Sequence, residues 1–451
     1  MILLAIDWPI VGIKTLQFLL SFSILVALHE LGHFVAAKIF GCRVDKFYLF
    51  FDPWFSLFKK KIGETIYGIG WLPLGGYVKI AGMVDESMDK EQMKQPPKPY
   101  EFRSKPAWQR LIIMLAGVIV NLWLGFFIYS MILWNWGDQY LPTSEVKYGI
   151  ATDSVAKSIG FKDGDKIVSI DGKQYEKFRD INKHLLLRKT HHVTVDRNGG
   201  QVNIPIPDNI AKTLIATKNV NFITPRVPLL PIEKVLDTAS AAKAGIKSGD
   251  KIVAANGQTF QYDNEVRNFI KSHKGDTASL TVLRGADTLN INTPISTDGT
   301  LGVYFSVPEL EKFFTMKKLS YNFFESIPAG YTKTWETLED YWLQIKLIFG
   351  GKVAAKDSVG SLITIGSIFP ATWDWQSFWS LTAFFSLVLA FMNLLPIPAL
   401  DGGHALFCLY EMITGRKPSD KFMEVAQTVG MILLFGLMIF ALGNDILRLF
   451  R

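Results

Sequence analysis

The chain has 451 residues, 49% of them hydrophobic, and its mean hydropathy is positive. That length accommodates two or three domains, and that apolar content calls for a search for membrane spans. The formal net charge is +7, yet no glycine-rich phosphate loop or nucleic-acid-binding motif accompanies it, and two cysteines, Cys42 and Cys408, imply no disulfide framework.

Four apolar runs stand out: Leu16–Phe40, Leu111–Gly137, Ser377–Leu400 and Val425–Asn444. Each is about long enough to cross a hydrocarbon core of ~30 Å as a helix. The first is interrupted only by a His/Glu cluster and Lys38, and no small-residue cleavage site follows it, so it reads as a retained span. Inside it the stretch VALHELGHFVAAK carries the pattern H-E-x-x-H at His29, Glu30 and His33. Residues i and i+4 share a helix face. Two imidazoles so placed can ligate one zinc ion, with Glu30 beside them as general base for a water. Ionisable side chains within a span are costly, by ~2.5–3.5 kcal/mol each on insertion scales, and are functional by default.

Between the first and second runs lie Lys59–Lys61 and other basic residues, then GIGWLPLGGYVKIAG with its turn-forming glycines and Pro73, then an irregular loop over Pro96–Pro106. Between the third and fourth runs lie Arg416, Lys417 and Lys421. The positive-inside rule places both connections in the cytoplasm and the long middle segment, 138–376, largely outside; Lys14, Arg448 and Arg451 weigh against this.

The middle segment contains a repeat. AKSIGFKDGDKIVSIDGK starts at Ala156 and AAKAGIKSGDKIVAANGQ at Ala241, an offset of 85 residues. Each copy reads as a short helix closed by glycine, a turn, and a strand running into a second turn. The pair resembles circularly permuted PDZ domains, α+β modules that bind extended peptides at a sheet edge; a spacer or steric plug is the other reading. From Tyr321, aromatic and charged residues alternate at helical spacing, which suits one or two amphipathic helices on the membrane surface.

The third run ends AFMNLLPIPALDGGHALF. Two prolines and two glycines break the helix there, which in a membrane demands a surrounding of protein or a polar cavity. Zinc needs a third protein ligand, and the candidates are Asp401 and, in competition, His404.

HELGH together with NLLPIPALDGGH resembles the site-2 protease family of zinc intramembrane metalloproteases, in its bacterial RseP-type branch. The resemblance implies zinc ligands His29, His33 and Asp401, general base Glu30, and a substrate-handling asparagine at Asn393. It also implies a membrane-dipping β-hairpin around Gly75–Lys79, with Gly75, Gly76 and Tyr77 contacting substrate. Asn121 matches an asparagine of the family's second span, although the usual Gly-Pro nearby is Gly117-Val118 here, and SVGSLITIGSIF (358–369) resembles a further family segment. The fold implied is a multi-pass α-helical membrane protein of four spans plus two extracytoplasmic PDZ domains. Its divisions are an N-terminal membrane core (1–137), PDZ modules at 143–225 and 226–306, amphipathic linker helices (307–376) and a C-terminal membrane core (377–451).

The expected activity is zinc-dependent cleavage of transmembrane segments in pre-trimmed single-pass proteins, such as anti-sigma factors or signal-peptide remnants. The expected setting is the bacterial inner membrane, with the active site towards the cytoplasm and the PDZ pair in the periplasm. Partners would be these substrates, lipid, and peptide or substrate ends at the PDZ modules, and no nucleic acid. Two rival readings are a PDZ receptor with a relic metal site and a metal transporter. An intact Glu30 argues against the first, and large PDZ-like modules against the second.

Overall fold

The chain opens with α1 (Trp8–Ile39), started by the Asp7 side chain, which accepts from the Ile10 N–H, and by a proline in the first turn. Its buried face carries Leu25, His29, Gly32, His33 and Ala36 at helical spacing. Residues are described here, in a computed structural model, for 7–73, 75–83, 96–217, 221–351 and 360–449. Four strands follow: β1 (Val44–Leu49), β2 (Phe51–Ile62), β3 (Thr65–Leu72) and β4 (Tyr77–Ile80).

These strands form one mixed sheet in the order β2-β3-β1-β4, which corrects the expected hairpin around Gly75–Lys79. Strands β3 and β4 do not pair with each other. Strand β1 lies between them, parallel to β3 and antiparallel to β4, so that Tyr48 faces Gly68 on one side and Tyr77 on the other. The reason is the Tyr48 ring. It is buried, stacks on Tyr77 at 5.2 Å between centroids, and occupies the space where a Cβ on Gly68 would sit. The antiparallel hairpin is instead β2–β3, and it carries Lys59–Lys61. Helix α2 (Ala107–Trp136) completes this stretch.

The chain divides into two compact units, one of Met1–Gly137, Ser320–Ile348 and Ala354–Arg451, the other of Asp138–Leu319 with Phe349–Val353. In the second unit the elements run β5 (Asp138–Tyr140), β6 (Ile150–Thr152), α3 (Ser154–Ile159), β7 (Lys166–Ile170), α4 (Arg179–Leu187), β8 (His192–Arg197), β9 (Gly200–Pro205), α5 (Ile210–Ala216) and β10 (Ile223–Pro225). Then come β11 (Ile232–Val235), α6 (Ser240–Ala244), β12 (Lys251–Ala255), β13 (Gln258–Thr259), α7 (Asp263–Ser272), β14 (Thr277–Arg284), β15 (Asp287–Pro294), β16 (Val303–Phe305) and β17 (Lys317–Leu319).

Each copy of the repeat builds its own apolar core, one around Ile170, Ile181 and Val193, the other around Ile252, Val266 and Leu280. The repeated Gly and Asp have the same physical role in both. Asp165 accepts from Lys162 N–H and the Arg197 guanidinium, which also donates to the Gly160 carbonyl. Asp250 accepts from Lys247 N–H and the Arg284 guanidinium, which also donates to the Gly245 carbonyl. The turn after each short helix is thus pinned to the distal hairpin of its own copy.

Residues 307–319 belong to this unit rather than to a linker: Phe314 lies in the first core, and β17 pairs with β5. Beyond it, α8 (Phe323–Phe349) is one 27-residue helix. Its Ser326, Gly330 and Thr334 form a buried stripe of small side chains, and a Cβ on Gly330 would collide with Ser130 of α2. Small residues at i, i+4 and i+8 let two helix backbones approach closely.

The remaining elements are α9 (Leu362–Ser367), α10 (Trp375–Leu394), α11 (Asp401–Thr414) and α12 (Asp420–Leu449). Ser358 and Val359 lie outside the described residues. Four helices, α1, α2, α10 and α12, are long and apolar enough to cross a membrane.

Candidate metal centre

Helix α1 delivers His29 and His33 on one face, one turn apart, both buried. The third group comes from 368 residues further on. After α10 ends at Leu394, Pro396 and Pro398 forbid a continuing helix, and the chain folds back before α11 starts at Asp401. That reversal is tight: a Cβ on Gly403 would meet Pro398 Cα, and a Cβ on Gly402 the Leu394 backbone. Asp401 thereby sits at a helix N-terminus, where backbone N–H groups favour a carboxylate.

The three donor atoms converge. Asp401 Oδ2 lies 3.2 Å from His29 Nε2 and 3.3 Å from His33 Nε2, and the two Nε2 atoms are 3.3 Å apart. Zinc–nitrogen bonds of ~2.0–2.1 Å in a tetrahedron put neighbouring donors about 3.3 Å apart. The triangle therefore has the edge of a zinc coordination tetrahedron. Among the described residues, His29, His33 and Asp401 are the only group of this kind, and His404 is not part of it.

Helix α2 holds the imidazoles from behind. His33 Nδ1 lies 2.8 Å from the Ile113 carbonyl, which fixes its N–H on Nδ1 and leaves Nε2 to face the triangle. Fully buried Asn121 places its side-chain amide 3.1 Å from His29 Nδ1. For Nε2 of His29 to act as a donor to metal, Nδ1 must carry the proton, so the amide oxygen of Asn121 is the atom that belongs there. Gly117 stands between these contacts: a Cβ on it would meet His29 Cε1 at 2.6 Å and crowd His33 Nε2. Nothing in the local sequence around Gly117 or Asn121 assigns these tasks, because both arise from side chains of α1.

The sequence pattern of Peptidase family M50 matches residues 17–437. This chain belongs to peptidase family M50. It is 28% identical over 461 residues to the "Regulator of sigma E protease" of Haemophilus influenzae, with 96% of this chain and 98% of that one covered. A Campylobacter jejuni protein named "Putative zinc metalloprotease Cj1068" is 30% identical, with 99% of this chain and 98% of that one covered. The M50 chain is accordingly a zinc metallopeptidase, and the triangle of donors fits that ion.

The other residues singled out in the sequence divide. Asn393, near the end of α10, brings its amide nitrogen to 3.3 Å from His29 Nε2 and so borders the triangle. Gly76 lies against α1: a Cβ there would meet Val26 Cγ1 at 2.8 Å and Glu30 Cγ at 3.4 Å. The edge strand β4 of this M50 peptidase therefore begins beside Glu30. Gly75 has φ of +152° and packs on the Phe51 ring, 2.9 Å from where its Cβ would be. Tyr77 is engaged elsewhere, its ring stacked on Tyr48 and Phe51 and its hydroxyl donating to Asp52 at 2.9 Å.

Proposed function

We propose that this M50 peptidase is an intramembrane endopeptidase, cutting within the transmembrane segments of single-pass membrane proteins after their outer part has been trimmed. The observation that carries the reading is the zinc-sized triangle of donors, with both imidazoles buried on α1, a helix long and apolar enough to span a membrane, and the carboxylate placed just beyond the end of α10, another such helix. In this reading His29, His33 and Asp401 hold the ion. Zinc bound there supplies Lewis acidity, which activates water at neutral pH. Glu30 would serve as the general base, taking a proton from water and returning it to the leaving amine. Ile113 and Asn121 fix the imidazole tautomers, and the Asn393 amide bonds a backbone group freed from the substrate helix. Gly75, Gly76 and Tyr77 contribute backbone at the edge of β4, where an extended substrate adds as a further strand. Unwound backbone in lipid costs several kcal/mol per unpaired group, and such pairing offsets it.

The name of the Haemophilus relative favours anti-sigma-factor-like substrates, and signal-peptide remnants are of the same chemical class. The basic residues Lys59–Lys61 and Arg416–Lys417 favour an inner-membrane orientation with the site towards the cytoplasm. The repeat copies, read as PDZ modules, would then be periplasmic and would receive peptide or substrate ends, or exclude bulk.

The test is Glu30→Gln in the purified full-length protein. One equivalent of zinc should remain bound while cleavage of a transmembrane peptide is lost. Substantial turnover by this variant would remove Glu30 from its role.

A further inference from the structure

A cavity of about 160 Å³ lies between α1, α9 and α10. Phe22 and Leu25 of α1, Ile365 of α9, and Val388, Leu389 and Met392 of α10 contribute to its wall. The hydroxyl of Ser21, which also borders it, accepts a bond from the Thr382 hydroxyl at 2.9 Å. The space is thus apolar and offers a guest little to bond with.

Its position follows from two helical registers. Leu25 precedes His29 by four residues on α1, and Leu389 precedes Asn393 by four on α10, so each pair shares a face. The two helices run in the same direction: Gln17 bonds the Pro370 carbonyl ahead of α10, Ser21 meets Thr382, and His29 meets Asn393. The cavity therefore sits one helical turn, about 5.4 Å, from the donor triangle on the side of both helix N-termini. An extended chain places side chains of the same face ~6.6 Å apart. A peptide with its scissile bond at the triangle would bring the side chain two residues away to within reach of the cavity.

We propose that this cavity is a specificity pocket for one large aliphatic side chain of the substrate, two residues from the cut. The proposal rests on the endopeptidase reading above. Leucine, isoleucine or methionine fill such a space with dispersion contacts. Alanine leaves a void, and asparagine or aspartate enters without hydrogen-bonding partners. Continuity with the donor triangle, through Leu25 to His29 and Leu389 to Asn393, favours a substrate side chain over a lipid chain.

Two experiments on the full-length enzyme in detergent test this. In the first, a transmembrane peptide is varied at one position through Leu, Met, Ala and Asn, and cuts are mapped by mass spectrometry. Leu should exceed Ala by at least about ten-fold in kcat/KM, and moving the Leu by one residue should move the cut with it. Val388→Phe should invert the Leu/Ala ratio, and Leu25→Ala should raise the rate for Phe relative to Leu. A ratio indifferent to both substitutions overturns the pocket. In the second, a photo-reactive leucine analogue at that peptide position is bound to the zinc-loaded Glu30→Gln enzyme. Adducts on Phe22, Leu25 or Met392 are expected. Adducts elsewhere, or a copurified lipid that peptide does not displace from these residues, overturn it. Because the second experiment needs no turnover, it separates failure of the pocket from failure of the endopeptidase reading, in which wild-type enzyme cuts no peptide at all.

Discussion

Replacing Gly117 by alanine sets two physical effects against each other. In a helix alone, Gly→Ala stabilises by ~1 kcal/mol, because glycine loses the most backbone entropy on folding. In this protein the new methyl would lie 2.6 Å from His29 Cε1 and 2.8 Å from His29 Nδ1, and closer still to His33 Nε2. Those atoms cannot retreat freely: His33 is tied to the Ile113 carbonyl and His29 to Asn121, both on the same helix as the glycine. Either α2 moves off α1 or the imidazoles rotate out of the triangle. Overpacking of this kind costs ~1–3 kcal/mol, and if it is borne by the metal-bound geometry it weakens zinc binding ~5- to 150-fold. The assay is a zinc competition titration against a chromophoric chelator in detergent at pH 7, with thermal unfolding of the metal-free protein alongside. Weaker zinc binding with unchanged or raised metal-free stability is the expected pattern. Wild-type zinc affinity would show that α2 does not back the histidines as described.

Asn121→Leu removes the partner of His29 Nδ1, and loss of such an outer contact lowers metal affinity ~10- to 100-fold; the same titration reads it, with Asn121→Asp expected to retain more affinity than Leu. Arg110 of α2 donates to Glu411 of α11 at 2.5 Å in a largely buried pair, and α11 begins with Asp401. Arg110→Met strands the carboxylate, at a cost of ~3–5 kcal/mol in stability, and the double change Arg110→Met, Glu411→Leu should recover part of it; equal losses in single and double variants would refute the coupling. In the inserted unit, the hydrogen bond from Arg284 holds the Asp250 carboxyl below its ordinary range despite burial. A carboxyl with a depressed native pKa contributes stability that is present above its unfolded value, ~3.9, and lost as pH falls through the native one. Hydrogen-exchange protection of β12 and β14 in the whole protein should therefore separate wild type from Arg284→Met at neutral pH and converge in acid, and a gap that widens in acid would contradict the sign.

What could be read from the sequence was what local chemistry fixes. H-E-x-x-H needs only helical spacing to bring His29 and His33 together, and the apolar runs announce α1, α2, α10 and α12. The run ends were less legible. Helix α1 starts at Trp8 rather than Leu16 because Asp7 caps it, and Lys14 is no obstacle, since its ammonium donates to the Ser367 carbonyl at the end of α9. The mixed sheet was hidden by its own composition. Lysines 59–61 give only a topological signal, whereas they stand exposed at the far end of an antiparallel pair. The parallel β1–β3 pairing joins strands through a connection that no local pattern encodes. The task of Gly117 is illegible for a similar reason, because the need for hydrogen at that position arises from two side chains more than 80 residues earlier.

The donor triangle draws on three helices with different obligations. Helix α1 supplies the imidazoles, α11 supplies the carboxylate after a reversal possible only with Gly402 and Gly403, and α2 supplies no ligand at all. Yet α2 touches every part: Ile113 and Asn121 orient the histidines, and Arg110 grips the helix that begins at Asp401. It also receives the small-residue stripe of α8 at Ser130, and the Asn121 carbonyl accepts from Ser386 of α10. Helix α1 packs closely on α2 along its ligand face, where a Cβ on Gly32 would meet the Ala116 carbonyl oxygen at 2.7 Å. The helix without ligands carries the precision, because a backbone carbonyl, an absent side chain and a buried amide have few ways to rearrange. Geometry good to a few tenths of an ångström at the metal therefore depends on residues of α2 that never touch it.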